Sequence, residues 1–309
     1  MFTLILWLSD FASGYIRLPL SAFLPSIVTT AITTLLSPFL YLNPLNFSTL
    51  PRTHPNLPLP PTKHPLIVWS HGLTGTGDEH GLLATTLALK GYVVALVHHS
   101  DGSSARCDVV KDGVAARVDY QHVDFSKYDA NLRQNQADWR AREVNAARDI
   151  VLREFPENVT ASNVSVGGFS FGAATAGVVA ATRGKEYRCA VLVDGWYHIY
   201  FEKYGIDINL PLQLHEKGSQ VPTLFIGSEE FQKLERLCAA TLAVQKKCPK
   251  AVVKVYEGTR HGNFIDAIFW LPMKLGQVMG LSGKDVDSHL IYKRFFTDVG
   301  EFLDDNTRD

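Results

Sequence analysis

The sequence predicts an α/β fold with a mostly parallel central sheet and helices on both faces. Three observations carry this. From Leu66 onward, short apolar runs alternate with longer helical patterns, as a sheet covered on both sides requires. The chain is 309 residues long, enough for one large domain with its own core. A glycine-flanked serine also sits between a strand pattern and a helix pattern.

In chain order, residues 1–50 form an apolar segment in which Asp10 and Arg17 are the only charges. Leu18 to Leu42 is long enough to raise a membrane span, but Pro19, Pro25 and Pro38 interrupt it and its Thr-rich centre is only moderately hydrophobic. A secretory leader fits poorly, since no Lys or Arg precedes Phe2 to Leu8. The expectation is an apolar helix lying on the domain or in a lipid interface, with an anchor or a leader as alternatives. Residues 51–65 are Pro-rich and read as an extended connector.

Residues 66–309 are the expected catalytic domain. Its strand candidates are Leu66 to Trp69, Tyr92 to Val97, Val164 to Gly167, Ala190 to Val193, Thr223 to Ile226 and Val252 to Tyr256. A long helix is expected from Asn131 to Phe155, with Ala137, Ala141, Val144, Ala147, Val151 and Phe155 facing the sheet at three- and four-residue steps.

Composition narrows the partners. Thirty Lys and Arg balance 31 Asp and Glu, so no global field favours nucleic acid or an anionic membrane, and any lipid contact must be mainly apolar. The four cysteines make no CxxC pair, which argues against a zinc site. Cys189 reads as core, and Cys238 and Cys248 are candidates for a bridge in an oxidising compartment.

The chemistry centres on Gly168-Phe169-Ser170-Phe171-Gly172. A GxSxG pentapeptide is common by chance, and its context decides. Asn163 to Gly167 reads as a strand entering the motif and Ala173 to Ala180 as a helix leaving it. That is the nucleophile elbow of the α/β-hydrolase fold, whose glycines permit a turn that lifts the serine hydroxyl off the sheet. A serine hydroxyl needs a base in hydrogen-bond reach and an acid to orient that base. In this fold the acid and the histidine follow the serine in chain order. Asp194 ends the strand Ala190 to Val193, and His261 follows the strand Val252 to Tyr256, so both reach the sheet edge that bears Ser170. Asp207 and Glu229 are the rival acids, and His198, His215 and His289 the rival bases. The oxyanion needs two backbone N–H donors. Phe171 follows the nucleophile, and Leu73 lies in the loop of Ser70-His71-Gly72-Leu73-Thr74-Gly75. No GxGxxG and no Gly-Lys-Ser/Thr accompanies these glycines, which removes a nucleotide reading.

Beyond these residues, the chain resembles the platelet-activating-factor acetylhydrolases of the plasma and intracellular type II group. The resemblance rests on Trp69-Ser70-His71-Gly72-Leu73, the Ser170 pentapeptide, Val193-Asp194-Gly195-Trp196 and Phe225-Ile226-Gly227-Ser228-Glu229-Glu230-Phe231. It continues through His261-Gly262-Asn263-Phe264-Ile265-Asp266 and Gly283-Lys284-Asp285-Val286-Asp287-Ser288. It implies Ser170, Asp194 and His261 as triad, Leu73 and Phe171 as oxyanion donors, and no cofactor or metal. The implied reaction is calcium-independent hydrolysis of the sn-2 acyl ester of phospholipids with short or oxidised chains. The implied partner is a membrane or lipoprotein surface, met through the segment around Leu18 to Leu42.

The pattern departs from the family in three places. Family strands expected ahead of the apolar segment are absent, so the chain either lacks edge strands or starts internally. The loop Thr74 to His80 and the region Gly195 to Lys217 also differ, which leaves acyl selectivity open. A general carboxylesterase or polyester hydrolase on the same fold is the alternative enzyme. A catalytically idle lipid-binding protein is the alternative of another class. A membrane-associated intracellular location is expected, while sequons at Asn46, Asn158 and Asn163 leave secretion open.

Overall fold

The computed structural model describes Leu59 and residues 62–111, 113–121, 130–269 and 273–307. The expectations for residues 1–50 and for most of the connector, with the Asn46 sequon, lie outside the described residues.

Six strands form the central sheet: β1 (His64–Ser70), β2 (Val93–Val97), β5 (Val159–Phe169), β6 (Ala190–Val193), β9 (Thr223–Ser228) and β10 (Ala251–Tyr256). Their order is β10-β9-β6-β5-β1-β2, and every pairing is parallel. Two antiparallel hairpins stand apart, β3 (Arg106–Lys111) with β4 (Val114–Asp119), and β7 (His198–Phe201) with β8 (Ile206–Asn209). The helices are α1 (Gly81–Leu89), α2 (Ala130–Glu154), α3 (Phe171–Thr182), α4 (Leu212–Lys217), α5 (Glu229–Lys233), α6 (Glu235–Lys246), α7 (Met273–Val278) and α8 (Ser288–Thr307).

The α/β-hydrolase fold read from the sequence is the one observed, and all six expected strands are present. Alternation along β1 shows why the sheet is apolar on both faces. Leu66 and Val68 enter one core cluster with Ala137 and Val144 of α2 and the buried residues of α3. Ile67 and Trp69 enter the other, with Leu83 and Leu87 of α1 and Phe295, Val299 and Leu303 of α8. Helix α3 is buried from Phe171 to Ala181, and its Ala- and Gly-rich sequence lets it pass close over the sheet.

Two expectations need correction, and one feature was not expected. Phe155 lies beyond the end of α2 and is 43% exposed, because the helix stops at Glu154 and the chain turns into β5. Strand β1 begins at His64, two residues before the expected start at Leu66. The hairpins were not expected, and their weak signal has a physical cause. In β3 and β4, Val110 and Val114 are 75% and 67% exposed, so this ribbon buries no regular face for the pattern to record.

Cys189 is buried core, as expected, while Cys238 and Cys248 are free thiols. The side-chain amide of Asn163 donates to the Thr307 carbonyl at 2.6 Å, which ties that sequon to the end of α8.

Candidate active site

Strands β5, β6, β9 and β10 end at one edge of the sheet, and the candidate residues gather there. Ser170 stands between β5 and α3 with φ 57° and ψ −119°, a backbone conformation that costs a non-glycine residue about 1–3 kcal/mol. The surroundings impose it. The Ser170 N–H donates to the Val193 carbonyl at 2.8 Å, and the Ser170 carbonyl accepts from the N–H groups of Ala173 and Trp196, both at 3.1 Å. The motif glycines are required by close approach. A Cβ on Gly172 would lie 2.0 Å from the Ser70 carbonyl oxygen, and one on Gly168 would lie 2.3 Å from the Gly172 oxygen.

Asp194, immediately after β6, adopts φ 45° and donates its N–H to the Ile226 carbonyl at 2.7 Å. Its buried carboxylate accepts from Ser228 twice, from the N–H at 2.7 Å and from the hydroxyl at 2.8–2.9 Å. Asp194 Oδ2 meets His261 Nδ1 at 2.6 Å, and His261 Nε2 meets Ser170 Oγ at 3.0 Å. The carboxylate can only accept, so Nδ1 carries the proton and Nε2 is free to accept the serine proton. The His261 ring is stacked between Phe231, centroids 4.2 Å apart, and Phe169, at 4.5 Å.

The loop bearing His261 is docked by the residues that made its motif specific. Asn263, fully buried, accepts from the N–H groups of Arg260 and Gly283 at 2.8 and 3.1 Å and donates to Ser282 Oγ at 3.0 Å. Asp266 accepts from Leu82 N–H at 2.8 Å and Tyr292 hydroxyl at 3.0 Å, and burial pushes its carboxyl up to about 7. These two residues are scaffold for His261.

The rivals are engaged elsewhere. Asp207 pairs with Arg236, and Glu229 pairs with Lys233 and caps the Gly258 N–H. His198 bonds Asn209, His215 bonds the Tyr197 carbonyl, and His289 lies against the Phe269 ring.

Leu73 lies in the loop between β1 and α1, which passes directly over the nucleophile: a Cβ on Gly72 would stand 3.4 Å from Ser170 Cβ. Neither the Leu73 N–H nor the Phe171 N–H donates to an acceptor among the described residues. Ser170, Asp194 and His261 are thus joined by hydrogen bonds, Phe171 is the next residue after Ser170, and Leu73 follows Gly72, which lies beside Ser170.

The sequence reading missed what supports that region. Phe231 and Phe169 hold the His261 ring, and Ser228 holds the Asp194 carboxylate. Under the Leu73 loop, Glu79 Oε1 accepts from the Gly72 N–H at 2.5 Å, and Arg140 reaches the carbonyls of His71 and Gly72. His71, His80 and His99 are fully buried, and burial holds all three imidazoles well below the usual range, His80 at about 3. Arg140 had a signal: it is one turn from Ala137 and adjacent to Ala141, a charge on the sheet-facing stripe of α2.

Comparison with known proteins places the chain. The family model for platelet-activating factor acetylhydrolase, isoform II, matches residues 46–154 and 144–307. The chain is 26% identical over 254 residues to platelet-activating factor acetylhydrolase of Canis lupus familiaris, covering 74% of this chain and 54% of that one. It is also 26% identical over 285 residues to a putative phospholipase A2 of Schizosaccharomyces pombe, covering 70% of this chain and 62% of that one. The chain thus spans little more than half the length of these relatives. Among solved structures, a ferulic acid esterase from Streptomyces cinnamoneus superposes with a TM-score of 0.61 at 21% identity, over 81% of this chain and 69% of that one. That likeness is one of fold, whereas the family match extends along nearly the whole described chain: this protein belongs to the family of platelet-activating factor acetylhydrolases, isoform II.

Proposed function

We propose that the protein is a serine hydrolase that cleaves the sn-2 acyl ester of phospholipids bearing short or oxidised acyl chains. The observation that carries the reading is the chain of contacts Asp194 Oδ2, His261, Ser170 Oγ at 2.6 and 3.0 Å, on a serine whose backbone is held off the sheet. Family membership supports the lipid ester as substrate class, and the names of the relatives point the same way.

In the proposed reaction His261 Nε2 takes the hydroxyl proton as Ser170 Oγ attacks the acyl carbonyl carbon. The carbonyl electrons move onto oxygen, where the N–H groups of Leu73 and Phe171 stabilise the charge. Collapse of this intermediate expels the lysophospholipid alkoxide, which takes the proton from His261. A water then gives its proton to His261 and attacks the acyl-enzyme, releasing the short acid and restoring Ser170. The Asp194 carboxylate steadies the imidazolium throughout. Contact with a lipid surface through residues 1–50 belongs to the same proposal.

Profiling turnover against sn-2 chain length, with a soluble p-nitrophenyl ester in parallel, tests the substrate. The expected result is a marked preference for acetyl and other short sn-2 chains on a glycerophospholipid. Faster turnover of the soluble ester with no phospholipid cleavage would instead assign a general carboxylesterase.

A further inference from the structure

The peptide unit that presents the Leu73 N–H is the one whose carbonyl belongs to Gly72. A peptide is planar and trans, so whatever grips the Gly72 oxygen also sets the direction of the Leu73 N–H, on the opposite side of the plane. That oxygen receives three donors: His71 Nδ1 at 2.7 Å, Arg140 Nη2 at 3.2 Å and the Gly75 N–H at 3.2 Å. The preceding peptide is held from both sides. Arg140 Nη1 donates to the His71 carbonyl at 2.9 Å, while Glu79 accepts from the Gly72 N–H. The same guanidinium lies 4.7 Å over the ring of Phe171, the residue that bears the second candidate donor. Arg140, itself fully buried, thus touches both arms of the proposed oxyanion site.

Such a cation is costly to bury and needs partners. Arg140 is fully buried, donates from Nε to Ser103 Oγ at 2.8 Å, and has the Asp101 carboxylate 3.6 Å away. Burial draws its pKa down only to about 10, so it remains a cation at neutral pH. Positive charge on a carbonyl oxygen pulls electron density through the amide and makes the attached N–H a stronger donor.

We propose that Arg140 is the positioning residue of the oxyanion hole: it orients and polarises the Gly72–Leu73 peptide and steadies Phe171. This inference rests on the serine hydrolase reading above. The oxyanion forms only as the reaction proceeds, so the contribution of Arg140 falls on kcat and leaves ground-state binding almost unchanged.

The test uses Arg140→Met, Arg140→Lys and the double variant Asp101→Asn/Arg140→Met, which removes the carboxylate that a lone neutral substitution would strand. Each is checked for folding by circular dichroism and thermal melting, then assayed on a short p-nitrophenyl ester. The expected result for the folded neutral variants is a kcat lower by about 10²-fold, the level of one lost oxyanion donor. KM should stay within about threefold of wild type, and Arg140→Lys should recover part of the loss. Affinity for a trifluoromethyl ketone, whose serine adduct carries the oxyanion, should fall in parallel with kcat/KM. A merely structural role would not produce that parallel. Folded neutral variants with kcat within about threefold of an active wild type, or a loss confined to KM, would overturn the assignment of Arg140 alone. A wild-type chain that neither hydrolyses the ester nor accepts a fluorophosphonate at Ser170 would overturn the underlying reading instead.

Discussion

Ser170 and Asp194 are aimed chiefly by the backbone that carries them, whereas the loop from Ser70 to His80, like the loop of His261, is aimed by buried side chains. On the triad side, Ser170 and Asp194 each sit at positive φ directly after a strand, and their N–H groups bond the carbonyls of Val193 and Ile226. On the oxyanion side, the Gly72 peptide bonds are gripped by Glu79 from seven residues away and by Arg140 from 68 residues away. Strand ends supply direction cheaply, because a parallel sheet delivers its carboxyl ends to one edge. A loop has no such frame and is held here by a network of buried polar side chains.

This contrast sets the order of expected effects. His261→Ala and Asp194→Asn strike the proposed triad, so kcat on a short ester should fall by about 10⁴-fold or more, and Asp194→Asn, which removes the charge that Ser228 bonds, should also lower the melting temperature. A loss under tenfold would remove these residues from the proposed triad. Gly172→Ala attacks the frame: its Cβ would meet the Ser70 carbonyl at 2.0 Å, and backbone cannot yield as a side chain does. The expected cost is about 3 kcal/mol or more in denaturant titration, in the range of overpacked cores.

Ser228→Ala is gentler, since it keeps the Ser228 N–H bond to Asp194 and deletes only the hydroxyl. About 1.5–3 kcal/mol of stability should be lost, the range for a hydrogen bond to a charged group.

Smallest at neutral pH is the effect of His80, which lies against the rings of Trp69 and Phe169. Its folded pKa of about 3 lies below the ordinary value of 6.5, so the folded state holds fewer protons than the unfolded one. Its contribution is therefore fully present above pH 6.5 and is lost as pH falls from there towards 3, by at most about 1.4 kcal/mol per pH unit. His80→Phe should flatten that part of the acid limb in melting curves. An unchanged slope would mean that His71 and His99, which share the direction, carry it.

The same contrast explains what the sequence disclosed. Strand ends are written locally: Ala190 to Val193 is a short apolar run, and Asp194 follows it, so acid and strand could be read together. Chain order together with strand-end position then favoured Asp194 over Asp207 and Glu229, and His261 over His198 and His215, which precede the last two expected strands, and over His289 in the terminal helix. The supports of Leu73 are written far apart. Arg140 appears in the sequence only as a charge in an alanine-rich stripe, and Glu79 as one acid in a polar loop. Their partnership with Gly72 exists only once α2 packs on the sheet. Phe231 was visible in the Phe225 to Phe231 motif, but its stacking on His261 depends on the turn after β9. The β3–β4 hairpin went unread because a ribbon with exposed Val110 and Val114 leaves no periodic burial to detect, whereas β7–β8 buries Ile199 and Ile206 in strands of only four residues.

The central claim is that Ser170 is a nucleophile activated through His261. Its most direct measurement is the site of covalent labelling by a fluorophosphonate probe, read by mass spectrometry of the digested protein. The account predicts one adduct, on the peptide containing Ser170, absent in Ser170→Ala and slowed by orders of magnitude in His261→Ala. An adduct on another residue, or equal labelling of wild type and Ser170→Ala, would contradict it.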